Sequence, residues 1–189
     1  MTDSTDEKIK EVRIGKVIPH NSTIYLAEYD SHWPKQFELE KKRIKRILGP
    51  QALLIEHVGS TSVPGLIAKP IIDIILVVND SANESSYVPQ LESGGYVLRI
   101  REPNWFEHRL LKRPDNPVNL HVFSLGCSEV DRMLLFRDYL RLNPEAKELY
   151  ASTKLELSQK VWKYVQNYAD AKSEVVQIII DQAQQAKIR

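Results

Sequence analysis

The chain has 189 residues, 42% hydrophobic and 27% charged, enough to bury one sizeable core without a metal or a disulfide framework to hold it. Its 26 Lys and Arg against 25 Asp and Glu leave a net charge of +1, which excludes a global field drawing it to nucleic acid or to an anionic membrane surface. A lone cysteine, Cys127, excludes an intrachain disulfide and a cysteine zinc cluster, and the longest apolar run, from Pro70 to Val78, is interrupted by Asp73 and falls far short of the roughly 20 residues of a membrane helix.

The polar start from Met1 to Lys8 has no signal-peptide core, so a cytoplasmic protein is expected. Residues up to Lys10 carry little to bury and read as a loose tail. Alternation from Val12 to Ile18 and from Ser22 to Glu28 predicts two strands about a turn at Pro19-His20-Asn21. Pro34 then opens a helical pattern with Phe37, Ile44, Ile47 and Leu48 on one face, and Gly49-Pro50 stops it. The basic run Lys41-Lys42-Arg43 with Lys45-Arg46 falls on the solvated side of that helix, which is its ordinary use.

Strands are expected from Leu53 to Val58 and from Ile71 to Val78. A short helix from Ser86 to Ser93 ends at Gly94-Gly95, and a strand from Tyr96 to Arg101 follows. Trp105 to Arg113 and Val118 to Ser124 form a hairpin around Pro114-Asp115-Asn116-Pro117. Beyond it the pattern is helical. Ser128 and Asp131 resemble a capping box, Val130, Met133, Leu134 and Tyr139 form a stripe, and Pro144 begins a stretch reaching the C-terminus with a break near Asn167 to Ala169. This order predicts an α+β fold: a tail and a further strand over 1–21, a mixed-sheet core over 22–127, and a C-terminal helical segment over 128–189 packed on that core.

The chemistry gathers between the two central strands. An Asp among isoleucines needs a cation, a metal or several donors, and strand parity places Asp73, Ile75 and Val77 on one face. Gly59 and Ser60 follow a strand directly, and Ser60, Thr61 and Ser62 offer hydroxyl and backbone donors to phosphate oxygens, although the spacing is not that of a P-loop. Lys69 stands at the base of the Asp73 strand. In the hairpin, Arg109, Leu111 and Arg113 share a face, as do Asn119, His121 and Phe123. His121 is a candidate ligand or base and His57 a weaker one. Ser60, His121 and Asp73 supply the residue types of a nucleophilic triad, but no Gly-x-Ser-x-Gly elbow occurs.

Four stretches carry a family resemblance: Tyr29-Asp30-Ser31-His32-Trp33-Pro34; Glu56-His57-Val58-Gly59-Ser60-Thr61-Ser62-Val63-Pro64-Gly65-Leu66 with Ala68-Lys69-Pro70-Ile71-Ile72-Asp73; Asn119-Leu120-His121-Val122; and Phe136-Arg137-Asp138-Tyr139-Leu140-Arg141. Together they resemble the GrpB family, a branch of the nucleotidyltransferase superfamily with a polymerase-beta-like fold. The resemblance implies that Gly59-Ser60 stands for the superfamily's Gly-Ser signature and Asp73 for its first metal-binding carboxylate, with Arg109, Lys154, Tyr168 and Lys172 as further family positions. The chain departs from the superfamily at Ile75, where a second carboxylate is usual, and at Asn119 and His121, where a third acid is expected. Asn119 also departs from the family's own His-Leu-His.

The expected site therefore has Asp73 as catalytic residue, Asp73 and His121 as metal ligands, and Gly59, Ser60, Thr61, Lys69, Arg109, Lys154, Tyr168 and Lys172 around a nucleotide or other phosphate-containing small molecule. Mg²⁺ or Mn²⁺ would be held weakly without nucleotide, because neutral partners replace the acids. Two functions stay open. One is transfer of a nucleotidyl group to a small acceptor, and the other is a non-catalytic nucleotide or phosphometabolite binding module that has lost the full acidic set.

Overall fold

The computed structural model describes residues 6–188. Five strands form one mixed sheet in the order β1-β2-β5-β4-β3: β1 (Leu54–Val58), β2 (Ile72–Val78), β3 (Val97–Glu102), β4 (His108–Arg113) and β5 (Val118–Ser124). Only β2 and β5 run parallel, and the other neighbours are antiparallel. β2 reads as a continuous apolar run because it is covered on both faces, with Ile74, Ile75 and Leu76 fully buried. Each such side chain contributes about 1.5–3 kcal/mol of burial.

On one face, α2 (Trp33–Leu48) and α3 (Val88–Ser93) pack Trp33, Phe37, Ile44, Leu48 and Leu91 against Ile72, Ile74, Leu76, Leu111 and Leu120. The basic run of α2 stays largely outward, as its spacing predicts. On the other face, α4 (Ser128–Leu142) sets Val130 on Val58, Ile75, Val77 and Phe123. Val63 and Leu66 then join Leu140 with Tyr150 of α5 (Pro144–Ser158) and Ile179 of α7 (Ser173–Ile188). The α+β fold, with its mixed sheet and a C-terminal helical segment, is the one expected.

Local expectations differ in four places. Residues 6–10 belong to helix α1 (Asp6–Val12), which buries Ile9 and lies against β3; residues 1–5 of the expected tail lie outside the described residues. The two early strands are not formed. Instead the segment makes isolated bridges, Arg13 to Ile100, Ser22 to Trp162 and Ala27 to Ala68, so its alternation reports one-sided burial against three partners rather than a ladder. The Ser128 capping box is also absent, since the N-cap of α4 is Cys127 and it makes no side-chain cap. Finally, the helix breaks fall between α5 and α6 (Val165–Asp170) and again before α7. Asn167 lies inside α6 and accepts from the Tyr164 backbone N–H at 3.1 Å, opening the helix it was expected to end.

Candidate functional site

Strand register builds the site. Residues directly opposite one another in neighbouring strands share a sheet face, so Val58, Asp73, Asn119 and Lys112 form one row across β1, β2, β5 and β4. The next row on the same face is Glu56, Ile75, His121 and Leu110. Because β1 is antiparallel to β2, β1 ends where β2 begins, and the Gly59–Ser62 turn arrives beside Asp73.

Gly59 is required there for two reasons. Its φ of 66° is left-handed, and a Cβ would stand 2.5 Å from the Asp73 Oδ2. Gly59→Ala is expected to cost about 2 kcal/mol from the backbone alone and to push the carboxylate out of place. Urea unfolding checks the first effect. A variant with wild-type stability would show that the turn relaxes freely.

The hydroxyls after Gly59 divide their tasks. Thr61 is buried, donates to the Ile71 carbonyl at 3.1 Å and is contacted by His57 Nε2 at 3.0 Å, so it ties the turn to the start of β2. Ser62 donates to the Gly59 carbonyl at 2.6 Å. Both hydroxyl protons are committed within the turn, so the hydroxyl donation expected of Thr61 goes to Ile71 and leaves only its backbone N–H for a ligand. His57 stacks on Phe37 at 4.8 Å, away from Asp73's row, and burial lowers its pKa to about 4, so it serves the core as a neutral ring. Ser60 accepts from Lys154 Nζ at 2.9 Å and also hydrogen-bonds Tyr150, so its hydroxyl ties the turn to α5.

Lys154 is buried on α5, also donates to the Ile67 carbonyl, and lies 4.8 Å from the Tyr150 ring centre. Burial, with the Lys172 charge adding to it, pushes its ammonium down to about 7. Lys172, in the short link before α7, is pushed by burial down to about 8 against the pull of Asp73. Lys69 is lowered by burial and by Lys172, again against Asp73. The Tyr168 ring meets two of these cations, with its centre 5.8 Å from Lys69 Nζ and 4.6 Å from Lys172 Nζ. Its buried hydroxyl is the one buried side-chain polar atom among the described residues with no hydrogen-bond partner.

Asp73 keeps 29% of its side chain exposed. Burial opposes its ionisation, but His121, a 2.8 Å hydrogen bond from Asn119 Nδ2 and the Lys69 charge outweigh it and hold the carboxyl below its usual range. His121 Nε2 stands 3.8 Å from Asp73 Oδ1, beyond hydrogen-bond length. Lys112 completes the row, lowered by burial and by Arg13 and Lys69.

The same residues test whether a metal centre fits. Two-ion phosphoryl chemistry needs several anionic oxygens. Ile75 is fully buried against α4, and Glu56 is held by Arg137 at 2.7 Å. Asn119 aims a donor, not an acceptor, at Asp73 Oδ1. Among the described residues no group of three or more His, Cys, Asp or Glu converges. The residues present do not fit a two-ion centre.

Contacts and charge effects thus bring Gly59, Ser60, Lys69, Asp73, His121, Lys154, Tyr168 and Lys172 into one neighbourhood, and Arg109 lies outside it. Paired with Val122 and Arg101, Arg109 sits on the α2–α3 face and binds Glu84, which corrects its expected place beside Asp73. Arg113, on the same parity, binds Glu40 of α2. The β4 residues on the Asp73 side are His108, Leu110 and Lys112, the opposite parity set from the expected Arg109. The signal was the alternation itself, but it needed the β4–β5 register to be read.

The chain is similar to several known proteins. The UPF0157 protein BH1888 of Halalkalibacterium halodurans is 60% identical over 96% of this chain and 93% of its own. The crystal structure of conserved protein GrpB from Enterococcus faecalis covers 87% of this chain and all of its own, with a TM-score of 0.77 and 32% identity. Cid1 poly(U) polymerase in complex with ApU aligns over 78% of this chain and 43% of its own at 15% identity and a TM-score of 0.47, too remote to carry an inference. Residues 23–182, which hold every side chain of the cleft, match the GrpB protein family, and the chain belongs to that family.

Proposed function

We propose that the chain binds a nucleotide or related phosphate-containing small molecule in the cleft beside Asp73. The observation that carries this reading is the gathering of Lys69 and Lys172 at the Tyr168 ring, whose buried hydroxyl has no partner, with Lys154 near enough to feel the Lys172 charge and Asp73 acting on Lys69 and Lys172. Mutually repelling, partly desolvated ammonium groups are an expensive arrangement that an anion relieves. In this reading Ser60 and the lysines hold phosphate oxygens, the Tyr168 hydroxyl donates to the ligand, and Gly59 lets the backbone come close. Asp73 and His121 meet the end of the ligand farthest from Lys154. Nucleotide is the partner class proposed, as the resemblance to the nucleotidyltransferase superfamily implies.

A second reading, transfer of a nucleotidyl group to a small acceptor, is favoured by the pairing of Asp73 with His121 at 3.8 Å. With one carboxylate in the cleft, Mg²⁺ or Mn²⁺ would be retained through the ligand's own oxygens and weakly without it.

A thermal-shift and calorimetric screen of nucleotides, with and without Mn²⁺, tests the first reading. A ligand at about 100-fold excess over Kd stabilises by about 2.7 kcal/mol, and no shift with any nucleotide would overturn it. Asp73→Asn separates the two readings. Binding should survive, because the phosphate contacts do not involve the carboxylate, whereas transfer should be abolished if Asp73 organises it. Binding without transfer in the wild type leaves the binding module as the function.

A further inference from the structure

The sheet face that carries Asp73 holds a second group of cations, on the opposite side of the carboxylate from Ser60 and Lys154. Register places it. The Asp73 row runs on through Asn119 and Lys112 to Val97, and the next row, through His121 and Leu110, runs to Ile100 and then to Arg13, which bridges Ile100 at the edge of β3. Arg13 therefore shares the face of Asp73. Arg99 is the extra residue of a bulge between Leu98 and Ile100, and its guanidinium lies beside Gly15, where a Cβ would stand 3.8 Å from Nη1. Among the described residues, the side chains of Arg13, Arg99 and Lys112 make no ion pair and no hydrogen bond. Burial lowers the Lys112 ammonium, and Arg13, Lys69 and Arg99 lower it further against the pull of Asp73, so these cations are near enough to act on one another.

We infer that Arg13, Arg99 and Lys112 form a second anion subsite, which takes the phosphate of a small hydroxylated phosphate ester and lays its hydroxyl end at Asp73. Charge selects the phosphate. Guanidinium groups bind it through parallel N–H donors, and a phosphate monoester, with roughly −1.5 to −2 of charge near neutrality, offsets three cations better than a single carboxylate does. The carboxylate of Glu102, on the same face of β3, is held 2.7 Å from His108 Nδ1 and does not fill the subsite.

Position selects the rest of the ligand. Lys112 is two strands from Asp73, about 10 Å across the sheet at the usual strand spacing, with Asn119 between them. A phosphorylated sugar spans that gap, so a phosphate held at Lys112 brings a hydroxyl to the Asp73 carboxylate, which accepts its hydrogen bond. Ser60 and Lys154 lie past the end of β1, on the other side of Asp73, so the two anion sites flank the carboxylate and do not compete for one position. Use of the ester as acceptor of a nucleotidyl group rests on the transfer reading above. The subsite itself does not.

Proton–carbon correlation spectra of the full-length protein, labelled with ¹³C at lysine Cε and titrated with ribose 5-phosphate, test it. The Lys112 signal, identified by its loss in Lys112→Met, should shift saturably with ribose 5-phosphate and stay still with ribose. Arg13→Gln and Arg99→Gln change side chains that no contact ties into the fold, and each should weaken the binding by roughly 10- to 100-fold, as loss of a charged donor does. A Lys112 signal that ignores the probe, shifts confined to Lys154 and Lys172, or an affinity unchanged in both arginine variants would overturn the inference. ATP titrated into the same sample tests the nucleotide reading separately. If ATP moves no lysine signal, that reading fails and the ribose 5-phosphate result still decides the subsite.

Discussion

Ile75→Asp is expected to cost the protein about 4 kcal/mol or more rather than restore a metal centre. The position stands where the superfamily resemblance leads one to expect a second carboxylate, and it lies on the Asp73 face. Yet Ile75 is fully buried among Val58, Val77, Phe123 and Val130, where α4 closes over the sheet. The substitution removes a large aliphatic side chain, leaving a partly filled space, and brings in a carboxyl with no cation to pair with, since Arg137 is committed to Glu56 and Asp138. A loss of this size is a large fraction of the roughly 5–15 kcal/mol that holds a domain together.

The sign of its pH dependence follows. A carboxyl buried here has its folded pKa raised above the unfolded value, so the destabilisation is smallest in acid and deepens as pH rises above about 4. Denaturant unfolding at several pH values, beside Mn²⁺ titration by calorimetry, decides the matter. A variant with wild-type stability and newly tight Mn²⁺ binding would show that this part of the sheet opens to the cleft.

Affinity for a nucleotide should fall as pH rises through the range set by Lys154 and Lys172, whose ammonium groups burial pushes down to about 7 and about 8. An anion favours the charged lysines, so binding near neutrality takes up protons. Above those values each linked proton weakens binding by up to about tenfold per pH unit. Lys154→Met should weaken ATP binding at about pH 7 by roughly 10- to 100-fold, as loss of a hydrogen bond from a charged group does, and flatten part of the pH profile. Stability runs the opposite way. Without ligand the native state binds fewer protons than the unfolded chain from about pH 7 to about pH 10.5, so stability rises with pH across that window, and Lys154→Met removes part of the rise. Calorimetry in buffers of different ionisation enthalpy counts the protons. Binding with no proton uptake and no pH dependence would place the phosphates away from these lysines.

Much of the fold is legible in the sequence alone. Pro34 and Gly49 bracket α2, Gly94-Gly95 end α3, and the Pro-Asp-Asn-Pro turn sets the β4–β5 hairpin, because proline and glycine act through local backbone geometry that the sequence states outright. Parity likewise assigned Asp73 and Ile75 to one face and Asn119 with His121 to one face, since the two-residue repeat of a strand needs no partner to be known. The Gly59 turn and the lone carboxylate in an apolar strand marked the neighbourhood of the site for the same reason.

Tertiary structure decided the rest. Alternation along β4 separates Arg109 from Lys112 but does not say which set looks at Asp73, and only the pairing of Lys112 with Asn119 and of Arg109 with Val122 resolves it. Thr61 and Ser60 are adjacent hydroxyls of equal promise in the sequence, and their roles part because Ile71 and His57 take one while Lys154, from a helix far along the chain, takes the other. The meeting of Arg13, Arg99 and Lys112 on the Asp73 side and the closure of Ile75 under α4 depend in the same way on contacts between elements distant in sequence. Local conformation follows from each residue's own dihedral preferences, whereas a hydrogen-bond partner or a burial is fixed by which surfaces the sheet order and helix packing bring together.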